Sequence, residues 1–166
     1  LLQLINDILD LSRIESGKSE MHFQQVEIAG LVEEVEKVHQ LKMKSNVELK
    51  VIRPEGEYWT STDRNRVMQV LFNFLSNAIK NTEKGSITLG LKYEGSWLKL
   101  YVSDTGCGIS KEKLPQIFTR FEKLNENAQG TGLGLSICQL IIEQLGGKIW
   151  IDSNYKEGAR FLFTHP

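Results

Sequence analysis

The chain has 166 residues, of which 40 % are hydrophobic and 25 % are charged, so it suits one ordinary folded domain. Its 20 basic and 21 acidic residues leave a formal charge of -1, which argues against a general nucleic-acid binder because such domains carry a basic excess. Cys107 and Cys138 lack metal-ligand spacing, so we expect neither zinc nor disulfides, and a reducing compartment, the cytoplasm, is the default.

Residues 1–18 carry an apolar stripe at three- and four-residue steps, which predicts an amphipathic helix. The stripe consists of Leu1, Leu4, Ile5, Ile8, Leu11 and Ile14. It needs a partner, either a helix outside this chain or the core of the same domain. The chain opens on leucine without a signal-peptide pattern, so we expect a piece of a longer protein. No apolar run approaches the roughly 20 residues that cross a bilayer, so we expect no membrane contact by this piece.

The rest of the chain alternates helical and strand patterns. Helices are predicted at about 28–44, 63–80 and 133–145, with a short one near 114–121. Strands are predicted at 47–53, 86–93, 97–103, 148–152 and 160–164. This order predicts a two-layer α+β sandwich, with a mixed, mostly antiparallel sheet covered by helices on one face. The polar loop over 105–131 is too long for a simple connection, which favours a functional role.

The helix at 63–80 begins at Asp63, a good N-cap, and has two distinct faces. Its predicted core face consists of Val67, Val70, Leu71, Phe74, Leu75 and Ala78. Asn73, Asn77 and Lys80 follow at steps of four and three residues and therefore share the opposite face. Two amides and an ammonium on one surface suit a Mg²⁺–phosphate unit. The alternative is an ordinary solvated face.

Two glycine-rich segments complete the candidate site. Asp104 follows a strand and precedes Gly106 and Gly108. Its carboxylate suits the exocyclic amine of adenine and would repel the O6 of guanine, although this segment also reads as a plain turn. The second segment, residues 130–136, precedes the last helix. Its alternating glycines and the helix N-terminus predict an anion cradle for phosphates.

These segments, in this order, resemble the histidine-kinase branch of an ATPase superfamily. That superfamily also contains type II topoisomerases, heat-shock chaperones and MutL. The helix at 63–80 resembles the family's N box, residues 104–109 its G1 box, 117–121 its F box and 130–135 its G2 box. The opening LINDILDLSRIESGK resembles the end of the dimerisation and phosphoacceptor helices. The resemblance implies a Bergerat-type fold with an ATP lid at 110–130. It divides the chain into a helix end, 1–18, and an ATP-binding catalytic domain, 19–166.

The resemblance also implies a role for each motif residue. Asp104 would read adenine with Gly106 and Gly108 beside it, Asn77 would bind Mg²⁺, and Asn73 and Lys80 would support the phosphates and the transfer. The G2 segment would bind phosphate through Gly130, Thr131, Gly132, Leu133 and Gly134. ATP and Mg²⁺ are the implied cofactors. The implied reaction is transfer of the γ-phosphoryl group to a histidine on the dimerisation helices of a homodimeric parent kinase, with a response-regulator receiver domain as further partner.

The residue at position 73 distinguishes the histidine-kinase branch from the water-activating branches of the superfamily. The water-activating branches of the superfamily have a glutamate at this position, and an amide cannot deprotonate water. A neutral imidazole needs no such base. We therefore favour a histidine kinase over an ATP-hydrolysing clamp, or over a degenerate docking module that retains only the fold.

The sequence departs from the family at two positions and lacks an acceptor. Asn81 replaces the aromatic residue that usually follows the lysine, so modest nucleotide affinity is expected. The glycine motif near the end is reduced to residues 156–159, from which only Gly158 is retained, as a turn. The three histidines, His22, His39 and His165, lack the acidic neighbour and proline of the acceptor motif. We therefore expect the phosphoacceptor to lie outside this chain.

Overall fold

The computed structural model describes residues 2–17, 20–119 and 133–166. Within these ranges the helices are α1 (Leu2–Glu15), α2 (Ile28–Gln40), α3 (Arg64–Asn81) and α4 (Gly134–Gln144), with a 3₁₀ turn at Leu114–Gln116. The strands are β1 (Gln24–Glu27), β2 (Val47–Ile52), β3 (Trp59–Thr62), β4 (Gly85–Glu94), β5 (Trp97–Asp104), β6 (Ile149–Ile151) and β7 (Arg160–His165). No helix among these residues is long and apolar enough to cross a membrane.

The main sheet has five strands in the order β2-β4-β5-β7-β6. β2 runs parallel to β4 and the other neighbours pair antiparallel, so the predicted mixed, mostly antiparallel sheet is confirmed. A hairpin joins β4 to β5 through Gly95 and Ser96, with Glu94 opposite Trp97. Gly95 has φ 63°, a left-handed conformation that glycine adopts without strain.

Helices cover one face of this sheet. Phe74 of α3 packs on Phe161 and Phe163 of β7, with ring centroids 5.4 and 6.0 Å apart. Alternate residues of the strands lie on the open face. There the Lys92 ammonium lies over the Tyr101 ring and the Lys99 ammonium lies over the Trp150 ring. The two-layer α+β sandwich is therefore confirmed, with its core between α3 and the sheet.

A second sheet of two strands was not predicted. β1 pairs antiparallel with β3, and each contributes only four residues. Val26 and Thr62 are the fully buried residues of these strands, so neither strand shows the alternation by which strands are recognised in sequence. The helix predicted near 114–121 is also shorter in the structure, a single 3₁₀ turn with Pro115 in its first positions; residues 120 and 121 lie outside the described ranges.

Candidate functional site

The polar face of α3 is the first part of the site. Asp63 caps the helix by accepting a hydrogen bond from Arg66 N at 3.2 Å, as predicted. All six residues of the predicted core face are buried, which turns Asn73 and Asn77 to the half-buried opposite side and leaves Lys80 exposed in the last turn. Asn77 Nδ2 donates to Asn73 Oδ1 at 3.4 Å. This bond joins the two amides and leaves Asn77 Oδ1 available to a ligand.

The start of α4 lies against this face. A Cβ added to Gly134 would lie only 2.2 Å from Asn73 Nδ2, so the glycine lets the two helices approach at this point. The preceding residue, Leu133, is buried, and its carbonyl accepts bonds from Ser136 Oγ at 2.8 Å and Ile137 N at 3.0 Å. The first amides of a helix have no partner within the helix and carry its positive dipole end. An anion beside Asn73 would therefore meet the N-terminus of α4.

Asp104, at the end of β5, forms the second part of the site. The residue is only 4 % exposed, and its Oδ1 accepts bonds from Gly106 N at 2.9 Å and Ala159 N at 3.2 Å. Burial raises the pKa of this carboxyl, and the two backbone N–H bonds partly oppose that rise. Within the described residues both bonds are to Oδ1. Oδ2 accepts no hydrogen bond from these residues.

Gly158 brings the loop between β6 and β7 against Asp104. A Cβ on Gly158 would lie 2.1 Å from the carbonyl oxygen of Asp104 and 2.6 Å from its Oδ1. The next residue, Ala159, donates to the carboxylate and accepts from Asp104 N at 2.9 Å. Tyr155 Oη also donates to the carbonyl of Asp104, at 3.0 Å. This loop therefore fixes both the backbone and the side chain of Asp104.

The loop after Asp104 is joined to the end of α3. Cys107 N donates to Asn81 O at 3.1 Å. A Cβ on Gly106 would lie 2.1 Å from the same carbonyl oxygen, so Gly106 is needed for this close approach. Gly108 adopts φ 71°, and a Cβ added to it would lie 3.3 Å from Gly158 O. The two parts of the site consequently meet along the last turns of α3.

The structure brings together most of the residues singled out in the sequence. Asn73, Asn77, Leu133 and Gly134 form one group, while Asp104, Gly106 and Gly108 form the other, and Lys80 lies between them along α3. Gly130, Thr131 and Gly132, with most of the expected lid, lie outside the described residues. Their roles remain predictions.

Some residues of the site were missed in the sequence. Tyr155 and Ala159 carry no motif, and Gly158 was assigned only to a turn. The antiparallel pairing of β5 with β7 places Ser103 opposite Arg160. This pairing brings all three residues next to Asp104. The signal that would have found them is the interrupted glycine pattern at 156–159.

His39 and His165 lie in the interior, among structural hydrogen bonds of their own. His39 is 1 % exposed and its Nδ1 lies 2.8 Å from Val35 O. His165 is 4 % exposed and its Nε2 lies 2.8 Å from Thr62 Oγ1. Burial lowers the pKa of both imidazoles. The two are therefore internal structural groups.

The described residues offer no cluster of three or more His, Cys, Asp or Glu side chains that could hold a metal. Mg²⁺ prefers oxygen ligands and shares them with phosphates and water. Asn77 Oδ1, beside the N-terminus of α4, fits that donor set.

In this two-layer sandwich, a buried carboxylate and the N-terminus of α4 both lie along the polar face of α3. This arrangement defines a Bergerat-type ATPase domain. Comparison with known families agrees, since residues 62–166 match the family described as histidine kinase-, DNA gyrase B-, and HSP90-like ATPase. The chain belongs to this family.

Relatives and solved structures narrow the class to histidine kinases. The chain is 37 % identical to hybrid signal transduction histidine kinase B of Dictyostelium discoideum and 35 % identical to the circadian input-output histidine kinase CikA of Synechococcus elongatus, in both cases over 100 % of the chain. It spans only 9 % and 23 % of those proteins.

Among solved structures, full-length ShkA in complex with AMPPNP superimposes with a TM-score of 0.89 at 28 % identity. That match covers 99 % of this chain and 35 % of ShkA. The catalytic domain of histidine kinase ThkA gives a TM-score of 0.79 at 34 % identity and covers 88 % of this chain and 96 % of that domain. The chain is therefore a histidine-kinase catalytic ATPase domain.

Proposed function

We propose that this chain binds Mg²⁺-ATP and donates the γ-phosphoryl group to a histidine on the dimerisation helices of its parent protein, in two-component signal transduction. The observation that carries the proposal is the buried Asp104 carboxylate, which is held by two backbone amides and keeps Oδ2 for a base. A carboxylate accepts from the N6 amine of adenine and repels the O6 of guanine. The site therefore selects ATP over GTP.

The phosphates are assigned to the polar face of α3 and the start of α4. Asn73, Asn77 and Lys80 lie along that face and Gly134 lies against Asn73, and a complex of the similar kinase ShkA contains the ATP analogue AMPPNP. Asn77 would hold Mg²⁺ through its amide oxygen. The ion, when bound, supplies positive charge to the phosphate oxygens. The G2 residues Gly130, Thr131 and Gly132 are assigned to the phosphates by the motif alone.

The nature of Asn73 favours transfer to histidine over hydrolysis. Its amide lies against Gly134 and bonds to Asn77, and an amide is not a general base. A neutral imidazole attacks the γ-phosphorus with its own lone pair while the bond from that phosphorus to the β,γ-bridging oxygen breaks and ADP leaves. The acceptor therefore needs no activation by this domain. Positioning and charge stabilisation are what the domain contributes.

The acceptor is assigned to helices outside this chain. We divide the chain into residues 1–18, the end of the dimerisation helices, and 19–166, the catalytic domain. Leu2, Ile5 and Ile8 of α1 are 72 %, 48 % and 45 % exposed, an apolar face that suits the helix bundle of a homodimer. The receiver domain of a response regulator is the proposed next acceptor, since the similar kinase ThkA has been crystallised with response regulator protein TrrA. We place the reaction in the cytoplasm, where ATP is supplied.

A transfer assay in trans tests the proposal. The chain is incubated with γ-labelled ATP, with and without a separate helix pair that carries the acceptor histidine of the parent kinase. We expect acid-labile phosphate on the helices and none on the chain itself. Asn77→Ala should abolish transfer, whereas Asn65→Ala, at an exposed position in the first turn of the same helix, should not. Labelling of the chain itself, or steady-state hydrolysis that Asn77→Ala removes, would contradict the proposal.

A further inference from the structure

Thr82 directly follows α3 and is 0 % exposed. Among the residues that the structure describes, its hydroxyl is the buried side-chain polar group without a hydrogen-bond partner. A buried hydroxyl without a partner destabilises the state that contains it. Buried polar groups without a partner are rare in native structures, so this one calls for a physical explanation.

The hydroxyl points at the loop that holds the base-reading carboxylate. A Cβ on Gly106 would lie 2.9 Å from Thr82 Oγ1, so the hydroxyl lies against the α-carbon of Gly106. The amide of Gly106 donates to Asp104 Oδ1 at 2.9 Å. The neighbouring Cys107 N is held by Asn81 O, one residue before Thr82. Thr82 is thus directly behind the segment that a purine must contact.

We propose that Thr82 is a positioning residue of the nucleotide site, whose hydroxyl gains its hydrogen-bond partner when a purine nucleotide binds beside Asp104. This inference rests on the proposed function. Without nucleotide the hydroxyl destabilises the fold. With nucleotide the Asp104–Gly108 segment closes on the base, and the hydroxyl is satisfied by a backbone group of the rearranged segment. The threonine therefore favours the bound state over the free one.

This assignment has a signature that an ordinary buried threonine lacks. Thr82→Val keeps the shape and removes the hydroxyl, so it should raise the melting temperature of the nucleotide-free chain. The same variant should bind ATP about tenfold more weakly, which corresponds to about 1.4 kcal/mol. Opposite signs for stability and affinity are expected only when the hydroxyl is unsatisfied in the free protein and satisfied in the complex.

Thr62 provides the matched control, because it is also 0 % exposed but its Oγ1 lies 2.8 Å from His165 Nε2. Thr62→Val should lower the melting temperature and leave ATP affinity unchanged. Thr82→Ser restores a hydroxyl without the methyl group. It should retain ATP affinity within about twofold of the original chain.

The experiment is calorimetric titration of the original chain and the three variants with Mg²⁺-ATP, together with thermal unfolding in the absence of nucleotide. The proposal is overturned if Thr82→Val binds ATP as tightly as the original chain, or if it lowers the melting temperature. Loss of affinity in Thr82→Ser equal to that in Thr82→Val would also overturn it, because the methyl group would then be responsible. If the original chain itself does not bind ATP, the proposed function fails, and that outcome is separate from the three above.

Discussion

Gly158 restricts the position of Asp104, because it packs so closely against that residue that it has no room for a side chain of its own. Its α-carbon lies against both the carbonyl and the carboxylate of Asp104. The same contact places Ala159 N at 3.2 Å from Oδ1. The orientation of the Asp104 carboxylate therefore depends on a distant residue of the chain, in the loop between β6 and β7.

Replacing Gly158 by alanine should therefore damage the site. The new methyl group would lie 2.1 Å from Asp104 O, a distance at which backbone must move. We expect Gly158→Ala to cost about 1–3 kcal/mol of stability and to weaken ATP binding at least tenfold, measured by denaturant unfolding and by calorimetry. Gly30→Ala is the control, since its Cβ would meet Glu27 Oε1 at an ordinary 3.5 Å. An affinity for ATP unchanged in Gly158→Ala would contradict this role for the loop.

The burial of Asp104 predicts a dependence of stability on pH. Burial raises the pKa of the carboxyl in the folded chain, so the folded state binds a proton more tightly than the unfolded state does. The charged carboxylate therefore destabilises the fold above this pKa, and the effect disappears as pH falls through it. Asp104→Asn keeps an acceptor for Gly106 N and Ala159 N without the charge.

We expect Asp104→Asn to be more stable than the original chain at neutral pH without nucleotide. The difference in the free energy of unfolding should shrink as the pH is lowered and level off in acid. Urea unfolding of both proteins across a pH series measures this difference. A difference that grows on acidification would mean that the pKa of Asp104 is lowered instead, and would contradict the physical account of this residue.

At the scale of elements, the two ends of α1 lie in different environments, one packed against the domain and one exposed. Leu11 and Ile14 are buried against the domain, and Gln144 Nε2 of α4 donates to Ile14 O at 3.3 Å. Arg66 Nη1 donates to Asp10 Oδ1 at 2.9 Å and Gln69 Nε2 donates to Oδ2 at 2.7 Å. The end of α1 is thus fixed to the start of α3, while its first turns expose an apolar face.

This polar contact should hold α1 in place without affecting the nucleotide site. The side chains of Arg66 and Asp10 are 17 % and 23 % exposed, so the pair is sheltered enough for Asp10→Ala to cost about 1 kcal/mol. We expect about fivefold faster hydrogen exchange in α1, measured by mass spectrometry, and unchanged ATP affinity. Lys44→Ala, which removes a surface pair with side chains 36 % and 86 % exposed, should change neither. Unchanged exchange in Asp10→Ala would show that Leu11 and Ile14 suffice.

How well an element could be predicted depended on the length and regularity of its pattern. α3 and α4 begin and end within one residue of the predicted bounds, since caps such as Asp63 and Gly146 mark their ends. α2 ends at Gln40, four residues before the prediction, in a stretch without a glycine stop. β1 and β3 were missed because they are short and mostly exposed, and their pairing is visible only in three dimensions.

At the scale of the whole molecule, the site joins segments that are far apart in the chain. Motifs on α3, after β5 and before α4 were all recognisable, because each carries its chemistry within a few residues. What holds them together was not recognisable. Gly134 against Asn73, Asn81 O against Cys107 N and Gly158 against Asp104 are contacts between different segments. They follow from strand order and helix packing, which local patterns do not encode.

We propose that Asp104 selects adenine in a working nucleotide site. Its most direct test is calorimetric titration of the chain with ATP and with GTP, each with Mg²⁺, alongside Asp104→Ala. The account predicts that ATP binds, that GTP binds at least tenfold more weakly, and that Asp104→Ala abolishes the preference together with tight ATP binding. Equal affinity for ATP and GTP, or ATP binding that survives Asp104→Ala unchanged, would contradict it.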